Sequence, residues 1–322
     1  MRWYVARKVF AALATLFLVL LFDFMIFRLL PNDPLDVLAR SAGASETDKV
    51  KELTKEYALD EPVFPNQFVV FLRQTATLNF GEEFSRGLPT WTVIRRFALP
   101  SIFLMGTATM LAAGAGIALG IRSGWKRSGP LDRTATGLAV LLMSTPPLLM
   151  AMLMATVFGG MLRWFPVSGA RSLGQVSGLA WAADRLNHAV LPMITLTFVA
   201  FGPFFLIMRQ SMVDTLGEDF LVTARAKGIG EVAVRNRHAV RNALLPVVSL
   251  LVMSLGIVLS GTIAIEYVFG YPGLGLLMVT ATTTRNFPVL QAMFLLLSVV
   301  LIFGNLVADL TYGYLDPRIR EA

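Results

Sequence analysis

The chain has 322 residues, 55% of them hydrophobic and only 15% charged, with a formal net charge of +7. Soluble domains carry nearer a quarter charged residues, so this composition excludes an ordinary soluble domain and describes a polytopic membrane protein. The positive balance does not indicate nucleic acid, because the surplus Lys and Arg sit in short loops between apolar runs, and the lack of cysteine excludes thiol catalysis, disulfides and Cys-ligated metal.

Arg2, Arg7 and Lys8 precede an apolar run, Val9 to Leu30, interrupted only by Asp23 and Arg28. The run is too long for the apolar part of a signal peptide and has no small-residue cleavage site, so it reads as a retained first span. An acid deep in a span marks a functional site or an internal partner. Arg28 offers Asp23 a structural hydrogen bond about a turn away. Pro31 and Pro34 end the span. Residues 31–96 are polar and of mixed charge, with helical stripes at Thr47 to Tyr57 and Phe64 to Leu78, which predicts a small external subdomain. The second span, Phe97 to Ile121, holds Gly116 and Gly120 in a spacing that permits close helix approach. A basic loop, Arg122 to Arg133, leads to a third span, Thr134 to Leu162, broken at Ser144-Thr145-Pro146-Pro147. Paired prolines free backbone carbonyls, which a membrane tolerates where protein or a water-filled cavity satisfies them; a kink used only for packing fits equally well.

Arg163 to His188 forms an outer loop with Trp164 and Trp181 as interface anchors. Spans four to six run Ala189 to Met208, Leu244 to Ile265 and Val289 to Leu310. His188 and His238 both fall at predicted membrane edges, which suits helix-end polar residues better than a metal site. Six spans put both termini on one side. Arg2, Arg7, Lys8, the Arg122–Arg133 loop, the Arg209–Arg241 loop and Arg318 with Arg320 share that side, which makes it cytoplasmic. The fold class expected is therefore all-α: residues 1–30 as N-terminus and first span, 31–96 outside, 97–310 as the core, and 311–322 as a cytoplasmic tail.

The most polar stretch between spans is Arg209 to Pro246. Joining two helices takes only about 2 to 8 residues, so a loop this long is seldom a mere connector. Asp214 or Thr215 is a candidate cap, with Glu218 as its capping-box partner. A short helix then ends at Gly228 and Gly230, and a second amphipathic segment runs from Val232 to Leu244. The pattern also fits a positive-inside anchor and, in outline, a helix-turn-helix.

The run Thr223-Ala224-Arg225-Ala226-Lys227-Gly228, with Arg241-Asn242-Ala243-Leu244-Leu245-Pro246 after it, resembles the cytoplasmic coupling loop of ABC importer permeases. It is most similar to the B-type subunit of the dipeptide, oligopeptide and nickel group. The general motif is Glu-Ala-Ala, three residues, then Gly; Val222 and Thr223 stand here in place of Glu and the first Ala. Arg28-Leu29-Leu30-Pro31, Leu59-Asp60-Glu61-Pro62, Asn79-Phe80-Gly81, Glu266 to Gly275 and Leu315-Asp316-Pro317-Arg318 carry the likeness along the chain. The resemblance implies a six-helix type I importer permease without catalytic residues. It further implies a second, C-type permease, two ATPase subunits that hold ATP and Mg, an extracytoplasmic substrate-binding protein, and the bacterial inner membrane. Asp219, Phe220, Thr223, Ala224, Arg225, Ala226, Lys227 and Gly228 in loop 209–243 would meet the ATPase, with Arg225 and Lys227 pairing with acids at its rim. Tyr271, Pro272, Gly273 and Gly275 would shape an external re-entrant turn. Ser144, Pro146, Ser249, Ser254, Ser260 and Thr262 are candidates for the solute path, with helix packing as the other reading of the hydroxyls.

The chain has no G-x-x-x-x-G-K-[ST] for a phosphate loop and no H-E-x-x-H or G-x-S-x-G. An ATP-independent secondary carrier is the alternative, although carriers tend to show internal repeats and midplane charges. Within the importer reading the solute is a di- or oligopeptide, or else nickel or another small solute.

Overall fold

The structure is a computed structural model that describes residues 2–29, 54–55, 60–83, 87–172, 177–257 and 263–315. Among them there are helices and one isolated bridge between Glu82 and Pro89, and no strand. Helix α1 is Arg2–Leu29. A π-turn, Val63–Gln67, opens α2, Phe68–Ala76. Helix α3 is Thr90–Trp125, α4 Pro130–Ser144 and α5 Pro147–Met154, which continues as a π-turn through Met161. Helix α6 is Leu179–Thr215, and α7 is Asp219–Ala226. Residues 231–243 form α8, with a π-turn at Val234–Ala239. Then come α9, Leu245–Ile257; α10, Ile263–Val268; α11, Leu274–Thr283; and α12, Phe287–Leu315.

Among the described residues four helices are long and apolar enough to cross a membrane: α1, α3, α6 and α12; α4 and α5 make a fifth if the bent pair is one span. Helix α3 has 36 residues and α6 has 37. At 1.5 Å per residue each is well over the ~30 Å of hydrocarbon, so their charged ends reach beyond the apolar stretches. That is why α6 starts at Leu179 rather than Ala189: the alanine-rich Leu179–Ala183 turn propagates the helix outward. At its other end α6 runs through Asp214 and Thr215, so neither caps a new helix. Thr215 donates back to the Ser211 carbonyl, and Asp214 accepts from Gln210. Residues 258–262, with Ser260 and Thr262, lie outside the described residues, as do most of 30–59 and the tail after Leu315.

Helices α3 and α6 form the central pair. Hydrocarbon gives no hydrophobic drive between helices, so their contact rests on close packing. Gly116, Gly120 and Gly124 supply it. A Cβ on Gly116 would sit 2.7 Å from Phe204 Cβ and 2.8 Å from the Phe205 amide nitrogen. One on Gly120 would sit 2.7 Å from Met208 Cβ, and one on Gly124 2.5 Å from Met212 Cβ. The spacing seen at Gly116 and Gly120 thus continues one more turn. Helix α4 packs on α6 in the same way, with Gly202 against Met143 and Ala139. Helix α4 ends where Thr145 takes an extended conformation ahead of Pro146, and Pro147 starts α5 at a bend of 105°. Helix α1 lies against α12, where Lys8 pairs with Asp309 at 2.9 Å, and against α2 through Phe24, which meets Phe68 and Phe71. The stripe beginning at Phe64 therefore serves to pack α2 on α1.

Gly116→Val and Gly120→Val are expected to push α3 from α6 and to cost about 1–3 kcal/mol each. Gly114→Ala, whose Cβ meets nothing within 4 Å, should be neutral or slightly stabilising. Thermal unfolding of the detergent-purified chain separates the two classes; equal midpoints for all three would refute the seam as described.

Candidate functional site

Helix α7 stands on a floor of its own chain. Leu221 and Ala224 are buried with Val234, Ala239 and Ala243 from α8 and with Phe204, Met208 and Met212 from α6. Small residues at Ala224, Ala239 and Ala243 bring the α7–α8 hairpin close to the end of α6. The helix stops in a complete glycine cap. The Ile229 amide bonds to the Ala224 carbonyl at 3.3 Å and the Gly228 amide to the Arg225 carbonyl at 2.9 Å, with Gly228 in the left-handed region at φ +76°. The opposite face is open: Asp219, Phe220, Val222, Thr223, Ala226, Lys227 and Gly228 are exposed, and nothing lies within 4 Å of a Cβ built on Gly228. Two apolar side chains, Phe220 at 38% and Val222 at 61%, point outward from a helix of eight residues.

Arg225 is engaged within the chain. Its Nε donates to Glu231 Oε1 at 2.9 Å, and its guanidinium lies 5.7 Å from the centroid of the Trp125 ring at the end of α3. Lys227 makes no ion pair among the described residues.

A second constellation joins α3, α10 and α11. Glu266 is fully buried. Its carboxylate accepts the Ser101 hydroxyl on one oxygen and the Gly275 amide, at 2.6 Å, on the other, while the Ser101 oxygen accepts the Leu274 amide at 2.7 Å. A carboxylate at the first amides of α11 answers both its unpaired donors and its dipole. Gly273 and Gly275 are required by space: a Cβ on Gly273 would overlap the Glu266 carboxylate, and one on Gly275 would come 2.5 Å from Ile263 Cα. The turn with Tyr271 and Pro272 is thereby wound around Glu266, and the Tyr271 amide bonds to the Glu266 carbonyl at 2.9 Å. Burial raises the Tyr271 phenol above its ordinary range, with Arg185 opposing and Glu266 adding. The stretch after this turn is not an open loop, since α11 buries Leu274, Leu277 and Ala281 against α3 and α12.

Of the other residues picked from sequence, Ser144 and Pro146 are exposed at the α4–α5 corner. Ser249 is buried and donates to the Leu245 carbonyl of its own helix at 3.2 Å, and Ser254 is half-buried. Asp23 is buried, and neither of its carboxylate oxygens has a hydrogen-bond partner among the described residues; the Arg28 side chain lies outside them. His188 sits buried at the outer part of α6, its Nδ1 2.8 Å from the Asp184 carbonyl. Sequence reasoning passed over Ser101 and the ion pair between Asp132 and Arg209, and took Glu266 only as the start of a loop. An acid beside an apolar run was the available signal for Glu266; nothing local marks Ser101 or Asp132.

Long apolar helices, a broken span and a short surface helix that leaves its apolar side chains uncovered describe a multi-pass membrane protein. Residues 116–321 match the family described as the binding-protein-dependent transport system inner membrane component. The chain is 33% identical over 318 residues to a putative peptide permease protein of Brucella suis biovar 1, covering 98% of each. It is 32% identical over 318 residues to a probable peptide ABC transporter permease protein of Sinorhizobium fredii, covering 98% of this chain and 99% of the other. It is 34% identical over 319 residues, 98% of each, to the glutathione transport system permease protein of Escherichia coli K12. The chain belongs to this family of inner-membrane components of binding-protein-dependent transport systems, and it is a permease component.

Glu266→Ala is expected to strand the Ser101 hydroxyl and the Gly275 amide and to cost about 3 kcal/mol. Ser101→Ala should cost only about 1 kcal/mol. Chemical denaturation of the purified chain in micelles compares them, and a Glu266→Ala effect no larger than that of Ser101→Ala would show that the carboxylate is not the anchor.

Proposed function

We propose that this chain forms one half of the path of a peptide importer and receives the motion of an ATPase subunit on helix α7. The observation that carries this is the uncovered face of α7, with Phe220, Val222, Thr223 and Ala226 outward over a packed floor. Apolar side chains held rigidly at a polar surface fit a cleft in a partner. The proposed complex has a second permease of the C-type, two ATPase subunits that bind ATP and Mg, and a substrate-binding protein on the outer side. Six spans are proposed, with α9 and α10 both belonging to the fifth, and both termini cytoplasmic, as the placement of Lys and Arg supports. Peptides are the proposed solute because relatives covering the whole chain are named for peptide or glutathione transport.

Asp219 to Gly228 is the proposed ATPase contact. Lys227 is its cation for the partner's acidic rim, since Arg225 is held by Glu231 and Trp125. Tyr271, Pro272, Gly273 and Gly275 form the proposed outer turn. For the path we favour Ser144 and Pro146 at the open corner over Ser249, whose hydroxyl is spent on its own helix.

Two experiments test this. The tagged chain is expressed with its neighbouring genes and purified in gentle detergent, and co-purifying subunits and ATP hydrolysis are assayed. Gly228→Asn tolerates the left-handed backbone, and Gly228→Asp adds charge to the same site; both should assemble yet lose ATP-driven transport by about tenfold or more. Transport at the normal rate in both variants would sink the coupling role. Because the chain has no cysteine, single cysteines report cleanly. A Ser144→Cys variant should react with a water-soluble maleimide at a rate that changes with ATP, while Ser249→Cys should not; the reverse pattern would move the path to α9.

A further inference from the structure

The ion pair between Asp132 and Arg209 has no part in the reading above. Asp132 is in the first turn of α4 and Arg209 near the inner end of α6. Asp132 is only 3% exposed, and the guanidinium meets it with two parallel bonds, Nε to Oδ1 and Nη2 to Oδ2, the second at 2.8 Å. The Ser128 amide adds a further bond to Oδ2, also at 2.8 Å. A planar fork on a carboxylate fixes relative orientation as well as distance, which a single contact between two helices does not.

The pair lies at one end of a contact in which Ala135, Ala139 and Leu142 of α4 share a buried cluster with Phe201 and Phe205 of α6. Gly202 approaches Ala139 and Met143 closely near the corner. Asp132 meets Arg209 and Ala139 meets Gly202, so α4 runs antiparallel along α6 and is fastened at both ends. Helix α3 joins the same end, because a Cβ built on Gly124 would sit 2.8 Å from the Arg209 carbonyl oxygen and 2.5 Å from Met212 Cβ. Just past this point α6 leads into α7, and Met212 itself is part of the floor under α7. At its far end α4 stops at the Thr145–Pro146 corner, where the chain bends by 105°.

We propose that Asp132 and Arg209 are a positioning pair that makes α4 move as one body with the inner end of α6, so that a displacement of α7 reaches the Pro146–Pro147 corner. The proposal rests on the reading of α7 as the ATPase contact. Apolar packing along the two helices sets their distance with little directional preference. The ion pair adds a directional tie, and it does so at the end nearest to α7. Removing Arg209 leaves the buried Asp132 carboxylate without its cation, removing Asp132 leaves a half-buried guanidinium without its partner, and either change loosens the near end of α4.

The test uses the full complex in lipid nanodiscs, with Ser144→Cys as reporter and a water-soluble maleimide as probe. Asp132→Asn and Arg209→Gln are expected to assemble and hydrolyse ATP, while the ATP-dependent change in Ser144→Cys labelling falls about tenfold. The exchange Asp132→Arg with Arg209→Asp restores the pair in reverse and should recover the response. A merely structural role would alter assembly or ATP hydrolysis and leave the response of the assembled complexes intact. An undiminished response in both single variants overturns the proposal. So does a set in which the single variants fail to assemble and the exchange fails to restore both assembly and the response. Gly228→Asp in the same assay keeps the two readings apart. If it leaves the response intact, the coupling role of α7 fails. If it abolishes the response and the Asp132 and Arg209 variants do not, only the positioning pair fails.

Discussion

No side chain fits between α3 and α6 at Gly116, Gly120 or Gly124, and most of the chain's architecture depends on that. In lipid, apolar surface alone cannot hold two helices in one register, because the surrounding tails are as apolar as the helices. Close approach of the backbones does so instead, by dispersion contacts that vanish once the axes separate. Phe204, Met208 and Met212 are held at this seam, and the same side chains then form the floor beneath α7. The surface helix is therefore built on a closely packed part of the molecule.

The polar groups refine what the seam begins. Each important one ties elements far apart in sequence: Ser101 and Glu266 join α3 to the turn before α11, and Arg209 joins α6 to α4. The Ser101–Glu266 bond is fully buried and the Arg209–Asp132 pair partly so, and shelter from water strengthens both. Arg225 shows the contrast, since its partner Glu231 is mostly exposed and the pair is worth at most about 1 kcal/mol. Its effect is to keep the Arg225 cation on the chain's own surface, between Glu231 and Trp125.

A packed floor under an uncovered helix is what the proposed coupling role requires, since an element that is to carry motion from one subunit into another must not deform at its base. The small residues at Ala224, Ala239 and Ala243 close the distance between the hairpin and α6. At the Pro146 corner the two prolines have no amide to give to a helical bond.

Much of this was legible from the sequence. The apolar runs, the paired prolines, the stop at Gly228 and the placement of Lys and Arg are local or periodic signals, and each arises from backbone sterics or from the membrane as solvent. The resemblance to importer permeases was carried by contiguous stretches and was therefore visible as well. Helix ends were less so: α6 overran its apolar stretch at both ends because helix propensity, not hydropathy, decides where a helix stops in water. What only the tertiary structure decided is which distant residues meet. That Gly124 extends the seam, that Arg225 folds back on Trp125 and Glu231, that Ser249 turns inward, and that Asp132 finds Arg209 all depend on helix rotation and register. Those are set by packing among several helices at once, and no single stretch of chain encodes them.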